Sequence, residues 1–408
     1  MSRRASDAGT LGLPWPTSAD PARQRTGPDA SVLLVTMVLA LLGLVMVFSA
    51  SGVVAGNRFH DPLYFLKRQL AWLAFGSLLL HVASRLDYAV WRKLALPMVA
   101  CSAVLLILVL VPSIGVSVKG SRRWLRLGPL SVQSAEFAKL VVVVYLAAYL
   151  AKKEERLREW REGLLPPLIV SGLLGGLIVW QPDLGTAIVI GLVTMALLFL
   201  GGARLLHLSG LVLSGLALLF ALVRTSPYRW QRLMTFVDPW KDPTDAGFQM
   251  TQSFLAFGSG GFFGIGLGES KQKLFFLPEG HTDFMLALVG EELGLLGTAF
   301  VIVLFMILVF KGFQIAGRAR EPFGRYLALG ITLLLALQVL INAGVVTGLL
   351  PTKGLTLPLM SYGGSSLLVS LVGIGILLSI SRDRQGGRRA SVFGPGRAGG
   401  FASWVAAR

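Results

Sequence analysis

LLPPLIVSGLLGGLIVWQPDLGTAIVIGLVTMALLFL, residues 164–200, decides what kind of chain this is. On either side of Gln181-Pro182-Asp183 lies an apolar run with no charged side chain. At 1.5 Å of rise per residue, each run spans most of a hydrocarbon layer about 30 Å thick. The proline breaks the helix, and the flanking Gln and Asp would be left unsatisfied in lipid. The stretch therefore reads as two membrane spans joined by a tight polar turn. Pro166 and Pro167 fall in the first turn of the earlier span, where proline is tolerated.

The pattern recurs along the 408 residues, which are 54% hydrophobic and only 14% charged. Soluble domains carry about a quarter charged residues, so a soluble class is excluded. Ten spans are expected, near 31–53, 64–83, 95–112, 134–151, 165–180, 183–202, 206–224, 282–310, 326–348 and 364–381. The fold class is an all-α polytopic membrane protein. Residues 1–30 and 382–408 read as disordered tails around a membrane domain at 31–381. The N-terminal stretch has no apolar h-region, so the first span is expected to serve as an uncleaved anchor. The single cysteine, Cys101, excludes an intramolecular disulfide.

A formal net charge of +17 would suggest nucleic acid in a soluble protein. Here the basic residues crowd into short loops beside apolar spans, where orientation and anionic lipid account for them. Arg85, Arg92, Lys93, Lys152, Lys153, Arg156, Arg158, Arg161, Arg204, Lys311, Arg318, Arg320 and Arg325 share one side with both tails. That side holds more than half of the 38 Lys and Arg residues, so both termini are expected in the cytoplasm.

The exceptions carry the functional information. VKGSRRWLRLGPL puts Lys119, Arg122, Arg123 and Arg126 on the outer side, and Lys353 lies in another outer segment. The largest polar insertion, residues 227–281 between spans seven and eight, adds Arg229, Arg232, Asp238, Lys241, Asp245, Lys271, Lys273, Glu279 and His281. Cations kept outside against the topogenic preference point to an anionic ligand there; contact with outer-leaflet lipids is the plainer alternative.

Charges inside the spans are costly and mark function or pairing. Glu136 and Lys139 share a helix face three residues apart, facing a polar cavity or each other. Asp283 and Glu291 are eight apart in span eight, near one face, with Glu292 beside them. LLPTKGLTLPLMSYGGSSLL, residues 349–368, is half apolar yet broken by Pro351, Pro358 and glycines. It reads as a loop folded back against the bundle, with Lys353 aimed at a cavity. Gly264-Ile-Gly-Leu-Gly has phosphate-loop spacing but no βαβ context, and His60, His81, His207 and His281 lack zinc spacing. No GxSxG supports a serine hydrolase.

KGSRRWLRLGPLSVQSAEFAKL, QPDLGTA, PYRWQRLMTFVDPWKDP, GFQMTQS, GLGESKQKLFFLPEGHTDF, GEELG and LPTKGLTLPLMSYGGSS together resemble the SEDS family of bacterial cell-wall polymerases. The likeness runs over residues 31–385, and the last segment is more similar to the cell-division branch than to the elongation branch. One departure is Ser134, where the family usually has proline. The resemblance implies a glycosyltransferase that joins lipid II at the outer face of the cytoplasmic membrane, at the division septum, and releases undecaprenyl pyrophosphate. It implies Asp283 as catalytic base and Glu136 with Lys139 as the family's acid–lysine pair. Glu136 and Lys139, with Arg123, Arg229, Arg232 and Lys353, are the candidates for binding the substrate and its pyrophosphate, with a divalent cation, Mg or Mn, as a further neutraliser and no metal ligands among them. The implied partners are a class B penicillin-binding protein transpeptidase and other division membrane proteins, with no nucleic acid. A lipid II flippase, an elongation-type polymerase and a scaffold without catalysis stay open as alternatives. The polar groups gather toward the outer half, which favours a one-sided enzyme over a transport path.

Overall fold

A computed structural model describes residues 27–118, 121–127, 130–241, 243, 247–273, 277 and 280–383. Residues 1–26 and 384–408 of the two tails lie outside the described residues, as do Lys119, Asp245 and Glu279.

Helices occupy all ten expected segments. They are α1 (Ala30–Phe59), α2 (Tyr64–Arg85), α3 (Ala89–Leu110), α4 (Ser134–Lys153), α5 (Leu165–Trp180), α6 (Leu184–Leu200) and α7 (Leu205–Arg224). After the large insertion, which contributes α8 (Pro227–Val237) and α9 (Phe248–Gly260), come α10 (Met285–Arg318), α11 (Pro322–Val346) and α12 (Gly364–Arg382). Eight of the described helices are long and apolar enough to cross a membrane. Of the two expected spans outside that set, α6 is an apolar helix of only 17 residues. The other, α2, is made less apolar by Lys67, Arg68 and Arg85.

The core forms where α4 is enclosed by α3, α6 and α11, and where α2 lies along α12. Most of α4 from Ala138 to Ala147 is buried, whereas α7 buries only Leu208 and sits at the edge. The broken segment before α12 folds into the bundle, as its mixed composition predicts, burying Leu355, Leu357, Leu359 and Met360. Gly43 of α1 allows this approach, since a Cβ there would lie 2.7 Å from Met360 Cα.

Three features depart from the expectation. The segment after α3, read from the sequence as a loop, forms an antiparallel sheet of β1 (Gly115–Val118), β2 (Ser121–Leu127) and β3 (Leu130–Gln133). Trp124 pairs with Val116 on one side and Gln133 on the other. Second, part of the 227–281 insertion is helical, with Pro227 at the start of α8, where its fixed φ favours a first turn.

Third, α10 begins at Met285, so Asp283 lies in the turn before the helix rather than inside a span. The helical spacing assumed between Asp283 and Glu291 therefore fails at its first residues. Helix α10 also breaks at Gly294, whose φ of 67° and ψ of −166° are non-helical. The glycine-rich loop repairs the break: Ile265 and Gly266 donate to the carbonyls of Glu291 and Glu292, and Leu295 and Leu296 donate to Gly261 and Phe262. A helix gap buried among apolar helices needs such partners. The Gly264–Gly268 run is thus a backbone splice and not a phosphate cradle.

Candidate active site

The site is built where the HTDF turn, the non-helical segment before α12, the sheet and α8 meet. Asp283 is half-buried. Its main-chain carbonyl accepts from Asn342 Nδ2 at 2.8 Å, and the same nitrogen donates to the Leu355 carbonyl at 2.7 Å. One buried amide of α11 thus ties the Asp283 turn to the Lys353 segment. On the side-chain side, a Cβ added to Gly354 would lie 2.9 Å from Asp283 Oδ2. The carboxylate occupies the space that any other residue at 354 would fill.

Lys353 precedes that glycine. Its surroundings push the ammonium down to about 8 from 10.5. Burial is the main cause, followed by the guanidinium groups of Arg232 and Arg229, with Asp183 pulling the other way and Arg123 adding to the repulsion. Residues from β2, α8, the α5–α6 turn and the broken segment therefore act on a single amine. Arg232 donates to the Thr352 carbonyl at 3.3 Å, and Arg229 donates to Leu222 at the end of α7 at 3.1 Å.

Arg123 is singled out among its neighbours by the period of a strand. It shares a face with buried Leu125, while Arg122 and Arg126 alternate outward and are exposed. Arg123 Nε donates to the Gln181 carbonyl at 3.0 Å and a terminal nitrogen to Pro182. Asp183 caps α6 by accepting from the Thr186 amide and hydroxyl at 3.2 and 3.0 Å. Gln133, the last residue of β3, donates to the Asp183 carboxylate at 3.2 Å. The QPD turn therefore does more than separate two spans. It anchors the sheet and places an acid beside Lys353.

Glu136 and Lys139 are bonded to each other: Lys139 Nζ lies 2.7 Å from Glu136 Oε1, with side-chain exposures of 0% and 8%. Of the two expectations for this pair, self-pairing describes the structure, and Lys139 presents no amine to a ligand in this state. Ser134 starts α4 in place of the family's usual proline. Glu291 and Glu292 are buried structural groups. Glu291 accepts from the Ser270 hydroxyl and the Lys271 amide, while Glu292 accepts from Ser49 at 2.5 Å and pairs with Lys273 at 3.5 Å.

Asn342 and Gln133 were not among the expected site residues. The only sequence signal for either is a polar side chain inside or capping an apolar segment. Among the described residues, no group of three or more His, Cys, Asp or Glu could hold a metal ion. The described residues do not fit a protein-held cation.

The class so defined is a helical multi-pass membrane protein whose polar site is assembled from irregular segments at one end of the bundle. The chain belongs to the FtsW/RodA/SpoVE family, whose model, described as a cell cycle protein, matches residues 29–386. It is 46% identical over 358 residues to a probable peptidoglycan glycosyltransferase FtsW of Geobacter metallireducens, covering 88% of this chain and 96% of that one. It is 42% identical over 361 residues to the stage V sporulation protein E of Bacillus subtilis, with coverage of 88% and 98%. Among solved structures, a chain of a peptidoglycan synthase complex superposes with a TM-score of 0.71 at 31% identity, over 88% of this chain and 99% of that one. The rod shape determining protein RodA of Thermus thermophilus does so with a TM-score of 0.66, also at 31% identity, over 88% and 98%.

Proposed function

We propose that the protein is a peptidoglycan glycosyltransferase that polymerises lipid II into glycan strands during cell division. The observation that carries this reading is the carboxylate of Asp283 set against Gly354, one residue from a lysine ringed by Arg232, Arg229 and Arg123. Asp283 takes the proton from the acceptor's sugar hydroxyl as the oxygen attacks the anomeric carbon of the donor. The bond from that carbon to the pyrophosphate oxygen breaks, and the pyrophosphate leaves with the electron pair on its polyprenyl lipid. Lys353 and the three arginines stabilise the charge that gathers on the departing group. The Glu136–Lys139 pair is a charge-balanced element of α4.

In this reading the site faces the outside of the cytoplasmic membrane, both termini are cytoplasmic, and the work is done at the septum. The cross-linking half-reaction is left to a partner, a class B penicillin-binding protein, with other division proteins of the membrane around the pair. The likeness to a chain of a synthase complex and to FtsW relatives supports this.

The test is glycan polymerisation from purified lipid II in the presence of the cognate transpeptidase, comparing wild type with Asp283→Asn. A folded Asp283→Asn protein should lose about 100-fold or more in rate. Polymer formed at the wild-type rate would overturn the assignment.

A further inference from the structure

Helix α8 carries two different faces. At 100° per residue, Arg229, Arg232 and Phe236 fall within an arc of about 60°, and Trp230, Met234 and Val237 within another of about 60°, roughly 140° away. The first face is half-buried and turned to the site. Arg232 donates to the Thr352 carbonyl at 3.3 Å and Arg229 to the Leu222 carbonyl at 3.1 Å, which fixes how α8 is rotated about its axis. The second face is thereby turned outward. Met234 is 43% and Val237 72% exposed, and Trp240, just past the helix, is 57% exposed. An apolar face held open on a polar insertion needs a cover.

Continuity with the membrane says what that cover is. Helix α7 is a span at the edge of the bundle that exposes Leu213, Leu216, Leu218 and Phe220 and buries only Leu208. Only Thr225 and Ser226 separate its last residue, Arg224, from Pro227 of α8. Their amides donate back to the carbonyls of Ala221 and Val223 at 3.0 and 3.3 Å, so the chain turns at the very end of the span. Helix α8 therefore starts at the depth of the lipid headgroups. The ends of its apolar face agree with that depth. Exposed Arg224 lies over the Trp230 ring at 4.8 Å, and exposed Lys241 follows Trp240. Tryptophan beside a cation suits a headgroup boundary, with the ring at the acyl edge and the charge among phosphates. Asp238, the one acid between Arg224 and Lys241, is held in the turn by accepting from the Trp240 amide at 3.2 Å.

We propose that α8 is an interfacial helix seated in the leaflet on the side of the site through Trp230, Met234, Val237 and Trp240, and that this seat positions Arg229 and Arg232 beside Lys353. The partner is the lipid surface itself. The link to the arginines rests on the glycosyltransferase reading above, whereas the docking does not. Because α7 is barely buried, protein packing alone gives the α7–α8 arm little support, and the bilayer supplies the rest. A pyrophosphate anchored by a polyprenyl tail lies in the same headgroup layer. The two arginines then meet it at its own depth.

The experiment uses the full chain in vesicles of phosphatidylethanolamine and phosphatidylglycerol, with and without its transpeptidase. A spin label is attached at Val237→Cys, or at exposed Gln231→Cys as a control, in a Cys101→Ser background. Its collisions with oxygen and with a water-soluble nickel chelate are compared. The expected result is a Val237 label about 5–10 Å into the headgroup–acyl boundary, with the Gln231 label more open to nickel. Met234→Glu/Val237→Glu, which alters exposed side chains only, should keep the unfolding midpoint and lower polymerisation about tenfold, while Met234→Leu/Val237→Leu keeps the wild-type rate. A Val237 label as open to nickel as the Gln231 label would overturn the proposal. So would burial that appears only when the transpeptidase is added, which would make α8 a protein-docking surface. Polymerisation at the wild-type rate by the double glutamate variant would overturn the link to the arginines. The depth measurement needs no turnover, so its failure is distinct from retained activity in Asp283→Asn, which bears on the glycosyltransferase reading alone.

Discussion

Gly354 and Asp283 occupy one space between them: a methyl group added to the glycine would lie 2.9 Å from Oδ2 of the aspartate. Gly354 is itself exposed, so little packing depends on it. Gly354→Ala should therefore leave the thermal unfolding midpoint almost unchanged while displacing the carboxylate. A shift on the order of 1 Å in a reacting group costs up to about 100-fold. Polymerisation from lipid II should fall by about 10- to 100-fold, and a rate equal to wild type would show that Asp283 works from another position.

Lys353 should give the activity an alkaline limb. With its ammonium pushed down to about 8, it is largely charged at pH 7 and loses its proton as pH rises through 8. Pyrophosphate binding that depends on this charge weakens over the same interval, so KM for lipid II should climb above about pH 8. Lys353→Arg, which stays charged, should flatten that rise. The stability effect has the opposite sign. The unfolded lysine holds its proton up to its ordinary value, so between about 8 and 10.5 the unfolded state binds more protons and folding gains as pH rises. An unfolding titration of wild type against Lys353→Met would reveal the difference.

Asn342 joins the two segments that carry the site. Replacing it with leucine removes donors from two carbonyls, those of Asp283 and Leu355, in a buried setting. The expected loss is about 2–3 kcal/mol, read as a lower unfolding midpoint, together with reduced polymerisation. Stability lost with full activity would mean that the turn and the loop keep their relation without this brace.

The buried pair in α4 should behave asymmetrically. Lys139→Met alone leaves the Glu136 carboxylate in the core without its cation, a change that costs about 3–5 kcal/mol. The double variant Glu136→Gln/Lys139→Met removes both charges and should recover most of that loss in a thermal unfolding series. A single variant as stable as the double would show that Glu136 is served by water or another group.

The helices were legible from hydropathy alone. Apolar runs beside polar breaks locate all ten segments, because a backbone in lipid must satisfy its own hydrogen bonds and only continuous helix does so. The sequence also singled out Asp283, Lys353 and Arg123, since ionisable groups against an apolar background stand out. The strands after α3 were legible only as an arginine-rich loop, although the period-2 alternation of Arg122, Arg123 and Arg126 was present in it.

Which charges face one another depends on long-range packing. Lys353 and Arg123 are 230 positions apart in the chain, yet Arg123 bears on the Lys353 amine through the QPD turn. Glu136 and Lys139, equally prominent in the sequence, close on each other. Helical periodicity places side chains on a face but says nothing about which faces meet. That choice falls to long-range packing, as when Asn342 of α11 bonds at once to the carbonyls of Asp283 and Leu355.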